Sequence, residues 1–149
     1  MNREIKLKRA TLEDIDDILE IEKSLDGKTY SALKDSKELI DEIASRVFYL
    51  IKENDEIVGE VSYKIKDDGH VYLNNLAVAP QFQGRGVGRR VMGMILEELK
   101  DKKSIDLVTH PANSKAIRLY ESLGFKQSGE QMENYYGDGE PRIRMVLEK

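Results

Sequence analysis

Apolar and charged residues alternate around Ile5 and Leu7, which predicts a short opening strand with one buried face. From Thr11 the period lengthens. Leu12, Ile15, Ile18, Leu19 and Ile21 recur at helical spacing behind an N-cap at Thr11 and acids at Glu13 and Asp14, so a helix is expected over residues 11–25. Asp26-Gly27 ends it, and the polar LDGKTYSALK that follows reads as a connection whose one large aromatic is Tyr30. A second helix is expected from Asp35 or Ser36 to Ala44, with Leu39, Ile40 and Ile43 as its apolar face. Next come VFYLIKE, EIVGEVSYKIK and HVYLNNLAVA, separated by Asn54-Asp55 and Asp67-Asp68-Gly69, a pattern that predicts an antiparallel meander. In the middle run Ile57, Gly59, Val61, Tyr63 and Ile65 share one face, and Val58, Glu60, Ser62 and Lys64 share the other. That strand is expected to be half-exposed or to face a cleft.

The third run is stopped by Pro80 and passes through Gly84, Gly86 and Gly88 into a helix over residues 86–101, with Val87, Val91, Ile95 and Leu99 as its buried stripe. SIDLVTH reads as a fifth strand, reached through a helix and therefore parallel to the strand before the glycines. NSKAIRLYESL is a further helix, ended by Gly124. GFKQSGEQM and PRIRMVLEK are the last two strands, joined by the polar ENYYGDGE. These elements make one α/β (α+β) domain over residues 1–149, with about seven strands and four helices.

Strand, glycine turn and helix together suit an anion. Glycine permits positive φ and close approach, and a helix start offers unpaired N–H groups and the positive end of a dipole. Arg85, Arg89 and Arg90 add positive charge, so a diphosphate would sit well there. A chain that only has to turn tightly uses the same residues. GRGVGR is neither G-x-G-x-x-G nor a P-loop.

Composition narrows the chemistry. The chain has 28 acids against 24 bases, which disfavours general nucleic-acid binding and mildly favours cationic partners such as amines. It has no cysteine, which excludes disulfides, thiolate metal sites and a cysteine nucleophile. MNREIKLKRA has no apolar core of signal-peptide length, and no run approaches the roughly 18 apolar residues of a membrane span. A cytoplasmic location is expected, with no membrane partner.

Asn113, Ala116 and Tyr120 stand at i, i+3 and i+7, one face of one helix, and would present a narrow groove to an elongated ligand. Each also has an ordinary structural use, as N-cap, helix former and core residue. With Leu119, Leu123, Gly124 and Phe125 they spell N-x-x-A-x-x-L-Y-E-x-L-G-F. That string resembles the second signature of the GNAT superfamily of acetyl-CoA-dependent N-acetyltransferases, and Gln83-Gly84-Arg85-Gly86-Val87-Gly88 resembles its Q/R-x-x-G-x-G/A pyrophosphate loop. The resemblance is greatest over residues 73–125, and the tail ENYYGDGEPRIRMVLEK is similar to that of the bacterial and archaeal ribosomal-protein and protein N-terminal acetyltransferases.

The resemblance implies a mixed, mostly antiparallel sheet splayed between strands four and five, with acetyl-CoA in the opening and no metal. Leu76, Ala77 and Val78 would pair with the pantetheine arm and polarise the thioester carbonyl. Gln83, Gly84, Arg85, Gly86, Val87, Gly88 and Arg89 would hold the pyrophosphate, Asn113 would touch the pantetheine, and Tyr120 would point its hydroxyl at the sulfur. A primary amine would attack directly, its oxyanion held by backbone N–H groups. A phenol near pKa 10 is a weaker acid than a thiol near 8.5, so hydrogen bonding to sulfur is much of what Tyr120 offers.

Members of the superfamily often place a glutamate base on the fourth or fifth strand, and here Asn74, Asn75 and Val108 stand at those places. The remaining candidates are Glu60, His70, His110, Glu133 and Tyr136, or relayed water. A weak base harms an α-amine, with pKa near 8, less than a lysine near 10.4. A peptide or protein N-terminus is therefore the expected acceptor, with Tyr30 and Tyr135 or Tyr136 shaping its entrance. A polyamine, amino acid or aminoglycoside is the alternative, and a non-catalytic acyl-CoA-binding regulator is the alternative outside the enzymes. The chain is expected to be a monomer or a homodimer.

Overall fold

Alternating apolar positions and tight turns build the centre of the molecule. In the computed structural model, which describes residues 4–27 and 35–149, β2 (Val47–Glu53), β3 (Glu56–Ile65) and β4 (His70–Val78) form an antiparallel meander. Asn54, at φ 56°, makes the tight turn between the first pair, and Gly69, at φ 86°, stands in the second. β1 (Ile5–Arg9) adds antiparallel to β2, with Ile5 opposite Glu53. β5 (Ser104–Thr109) is parallel to β4, and β7 (Ile143–Glu148) lies antiparallel between β5 and β6 (Lys126–Gln127). The seven-stranded sheet thus runs β1-β2-β3-β4-β5-β7-β6.

Helices cover both faces. Ile18 of α1 (Ile15–Leu25) and Leu39 of α2 (Ser36–Ser45) close one cluster with Phe48 and Leu50 of β2. Val87, Val91 and Ile95 of α3 (Val87–Glu98) and Tyr120 of α4 (Ser114–Ser122) close a larger one with Val61, Leu73 and Phe125. Full burial of such side chains is worth about 1.5–3 kcal/mol each.

Three expectations are revised. The first helix begins as a 3-10 turn at Leu12–Asp14, and Leu12 is 62% exposed instead of contributing to the stripe. Asp14 takes over the start of the helix, its Oδ2 accepting from Thr11 N at 2.8 Å. Second, β3 is buried from Val58 to Tyr63 on both faces, with α1 packed on it and α2 on the neighbouring β2. Third, GFKQSGEQM is not a long strand. β6 holds only Lys126 and Gln127 before Gly129, at φ 78°, turns the chain away, and Met132 rejoins through a bridge to Arg142. Tyr30 lies outside the described residues.

Candidate active site

β4 and β5 lie side by side only as far as Leu73 opposite Leu107. Past that point β4 stays paired with β3 and β5 with β7, so the edge of β4 from Asn74 to Val78 that faces the opening keeps backbone groups outside any ladder. The opening coincides with a bulge: Ser62 faces Asn75 and Tyr63 faces Leu73, leaving Asn74 as the extra residue. A bulged strand bends and twists more sharply, which carries β4 away from β5.

A cavity of about 790 Å³ occupies the opening. One wall is β4 from Tyr72 to Leu76, another β5 and its end from Leu107 to His110, and α4 supplies Asn113, Ala116 and Tyr120. The facing wall is charged, with Glu22 of α1, Glu38, Asp41 and Glu42 of α2, and Arg46 just beyond it. Buried polar atoms with no partner among the described residues gather here: Asn74 Oδ1 and Arg46 Nε on residues of the lining, and Glu60 Oε2 and Ser62 Oγ on β3 behind it. Such atoms are costly unless a ligand or water meets them.

Asn113 does both things its sequence position suggests. Its Oδ1 accepts from Ala116 N at 3.4 Å as the cap of α4, and the residue lines the cavity. Tyr120 is 6% exposed, packs its ring 5.6 Å from that of Phe125, and reaches the cavity wall. Burial pushes its phenol well above the ordinary value, so Tyr120 keeps its proton and its hydroxyl is available to donate a hydrogen bond.

The glycine turn lies outside the cavity lining but is joined to it. Gln83 Nε2 donates to Val78 O at 2.9 Å, tying the turn to the end of the open β4 edge. A Cβ on Gly88 would lie 3.4 Å from Leu119 Cδ2, which sets the first turn of α3 against α4. Gly84 and Gly86 both take φ +79°, a left-handed conformation that costs other residues about 1–2 kcal/mol. Gly86 precedes α3, and no described side chain caps that helix start. Arg85 is drawn back, with Nη1 3.5 Å from Glu53 Oε1 and the guanidinium 5.4 Å over Phe82. An open strand edge leading to an uncapped helix N-terminus fits acetyl-CoA, amides first and diphosphate beyond.

The base candidates separate by location. His70 Nδ1 bonds to Ser104 Oγ at the paired end of β4 and β5, away from the opening. His110 lines the cavity, but Nδ1 accepts from Ala112 N at 3.0 Å and Nε2 donates to Glu140 at 2.8 Å, so both nitrogens are used. Glu133 is exposed, outside the lining, and accepts from Gln131. Glu60 is fully buried and accepts from Asn75 Nδ2 at 2.6 Å. Glu22 was not singled out in the sequence; it is 1% exposed in the cavity wall, and its signal was an acid at i+4 from Ile18 on the buried stripe of α1.

Tyr136 also lines the cavity, as Tyr72 does, its ring lying 5.0 Å under the Arg142 guanidinium, while Tyr135 packs edge-on against it outside. Burial is the first cause of the raised phenol pKa of both Tyr72 and Tyr136. Tyr136→Phe keeps the ring under Arg142 and loses only the hydroxyl. It is expected to raise KM for the acceptor several-fold and leave kcat unchanged in steady-state assays; a fall in kcat with every amine would instead place the hydroxyl in the chemistry.

A sheet parted at a bulge, with a buried phenol in the opening and an uncapped helix start beyond it, is the architecture of an acyltransferase. The chain belongs to the acetyltransferase (GNAT) family, whose model matches residues 12–125. It is 38% identical over 102 residues to the [ribosomal protein bS18]-alanine N-acetyltransferase of Escherichia coli, a match covering 67% of either chain. Identity to the Salmonella typhimurium enzyme of that name is 41% over 66 residues, 43% of this chain and 44% of that one. The crystal structure of the ribosomal-protein-S18-alanine N-acetyltransferase from Escherichia coli superposes with a TM-score of 0.81 at 24% identity, covering 97% of this chain and 94% of that one, and so shares the fold. Among the described residues no helix is long and apolar enough to cross a membrane.

Proposed function

We propose that this acetyltransferase acts on the α-amine of a peptide or protein N-terminus, with acetyl-CoA supplying the activated acetyl group. The observation that carries the reading is the opening between β4 and β5, which joins an unladdered backbone edge on one side to a carboxylate-bearing wall on the other. Leu76, Ala77 and Val78 offer main-chain groups to the pantetheine amides. Gln83 to Arg89 offer the helix start to the diphosphate, and Asn113 borders the path between them. Tyr120 donates a hydrogen bond to the sulfur as it leaves. Asn74 Oδ1, buried without a donor among the described residues, suits an ammonium, and the likeness to a ribosomal-protein-alanine N-acetyltransferase supports a protein N-terminus as acceptor.

A second reading has its own observation. Glu22, Glu38, Asp41 and Glu42 in one wall suit a polycationic amine such as spermidine. Thiol release from acetyl-CoA separates the two, using peptides with a free N-terminal alanine, the same peptides blocked at the N-terminus but carrying an internal lysine, and spermidine. Turnover of the free peptides alone is expected. Turnover of spermidine alone would replace the leading reading with the second. Acetyl-CoA at about 100 times its Kd is expected to stabilise the fold by roughly 2.7 kcal/mol, read as a rise in Tm.

A further inference from the structure

The cavity is bordered at Tyr136 by a loop with no core of its own. Residues 133–139 are exposed and lie outside any helix or strand. Met132 and Arg142 close the base of the loop through a bridge, Met132 N donating to Arg142 O at 2.8 Å and Arg142 N to Met132 O at 2.9 Å. Within the loop Asn134 Oδ1 accepts from Gly139 N at 2.6 Å. Such a segment keeps its place beside a cleft only as far as it is tied to the body beneath it.

Two carboxylates make the ties. Arg142 is 2% exposed, and Asp138 Oδ2 accepts from its Nη2 at 3.0 Å while Pro141 O accepts from its Nη1 at 3.0 Å. His110, just past the end of β5, is 3% exposed; its Nδ1 accepts from Ala112 N, so Nε2 carries the proton and donates it to Glu140 Oε1 at 2.8 Å. A buried guanidinium needs its counter-charge and a buried imidazole N–H needs its acceptor, so each fixes the carboxylate it meets. Asp138 Oδ1 also accepts from Glu140 N at 3.0 Å, which joins the two ties. Neither Asp138 nor Glu140 lines the cavity, whereas His110, Arg142 and Tyr136 do. The Arg142 guanidinium lies 5.0 Å over the Tyr136 ring. Tyr136 is 50% exposed as well as lining the cavity, which puts it at the mouth. The contacts thus run from a carboxylate outside the cavity, through Arg142, to an aromatic ring at its entrance, with His110 and Glu140 as the second tie.

We infer that Asp138 and Glu140 are positioning residues for the acceptor: they fix the Tyr136 ring at the mouth, against the part of a peptide that follows its N-terminal residue. The inference rests on the N-terminal reading above. The α-amine has to reach the opening between β4 and β5, beside Asn74 and Tyr120, so its own residue fills the cavity and the rest of the peptide leaves past Tyr136. A ring already in place offers that peptide a contact with little further loss of conformational freedom, whereas a ring on an untied loop has to be ordered by each substrate it meets. The two carboxylates therefore set how strongly acceptors longer than one residue are preferred, and leave the transfer step to the groups inside the cavity.

The test is steady-state acetylation of two acceptors, a tetrapeptide with a free N-terminal alanine and alanine amide. The proteins are the parent, Asp138→Asn, Glu140→Ala, Tyr136→Ala and the double variant Asp138→Asn/Tyr136→Ala, with Tm and its acetyl-CoA-induced rise measured on each. The parent is expected to prefer the tetrapeptide. Asp138→Asn removes the charge opposite Arg142, and Glu140→Ala removes the acceptor of His110. Each is expected to raise KM for the tetrapeptide about fivefold with kcat unchanged, and to leave kcat/KM for alanine amide as in the parent. Tyr136→Ala is expected to lose the same preference, and adding Asp138→Asn to it is expected to change nothing further, because the carboxylate acts through the ring. An acetyl-CoA-induced rise in Tm equal to the parent's shows that a variant folds and binds the donor; the two carboxylate variants are independent, so either one that folds carries the test.

No preference for the tetrapeptide in the parent, a parent-like KM in the carboxylate variants, an equal loss with both acceptors, or a further loss on adding Asp138→Asn to Tyr136→Ala would overturn the inference and leave the N-terminal reading intact. A parent that binds acetyl-CoA and acetylates neither α-amine would remove that reading, and the inference with it.

Discussion

Replacing Tyr120 by phenylalanine is expected to lower kcat by about 10²-fold while leaving the acetyl-CoA-induced rise in Tm unchanged. The ring is retained, and so is its packing 5.6 Å from Phe125; only the hydroxyl at the cavity wall is lost. Because burial raises its pKa, the phenol stays protonated throughout the working range, and a raised acid releases its proton later, not earlier, as pH rises. The ratio of parent to variant rates is therefore expected to stay constant between about pH 6 and 9. A ratio that changed across that range would mean that Tyr120 titrates during turnover, and an unchanged kcat would take the hydroxyl out of the reaction.

Gly59→Ala is expected to be the most damaging single methyl group in the sheet. A Cβ there would lie 2.2 Å from Ala77 O and 3.1 Å from Val78 Cα, and both neighbours are backbone, which cannot rotate aside. Overpacking of this kind costs about 3 kcal/mol, or a fall in Tm of about 6–12 °C in a chain of this size. The displaced segment is the open edge of β4, so the acetyl-CoA-induced shift is expected to shrink with it. Gly93→Ala is the control: it lies within α3 with nothing within 4 Å of its added Cβ, and is expected to be neutral or stabilising by up to about 1 kcal/mol. Equal Tm values for Gly59→Ala and the parent would show that β3 and β4 can separate without cost.

Local pattern made much of the fold legible. The meander, the parallel β5 and the helix after the glycines all follow from period and turn chemistry, and the burial of Val87, Val91, Ile95 and Leu99 matches the stripe read from their spacing. The charged wall of the cavity was not legible as such. The sequence pattern of the second helix picked out only its apolar residues, and it is the packing of α1 on β3 and β4, beside α2 on β2, that makes Glu22 and Glu60 buried acids. That packing joins residues far apart in the chain, which no local period encodes. The bulge did leave a trace. Val71 and Leu73 keep alternate positions, then Leu76 and Val78 resume them one residue late, and the slip falls at Asn74-Asn75.

That slip bears on what substitution can and cannot change. The extra residue restores Leu76 and Val78 to the face of the sheet that Val71 and Leu73 occupy, so apolar packing continues across the point where the sheet divides. It also turns Asn75 towards Glu60. The strand is in effect written in two frames, one on each side of Asn74. The division of the sheet is then governed by the number of residues in β4, while the identity of the residue at the join governs what the opening holds. Exchanging the side chain at position 74 tunes the contents of the cleft; a change of chain length there decides whether the cleft exists.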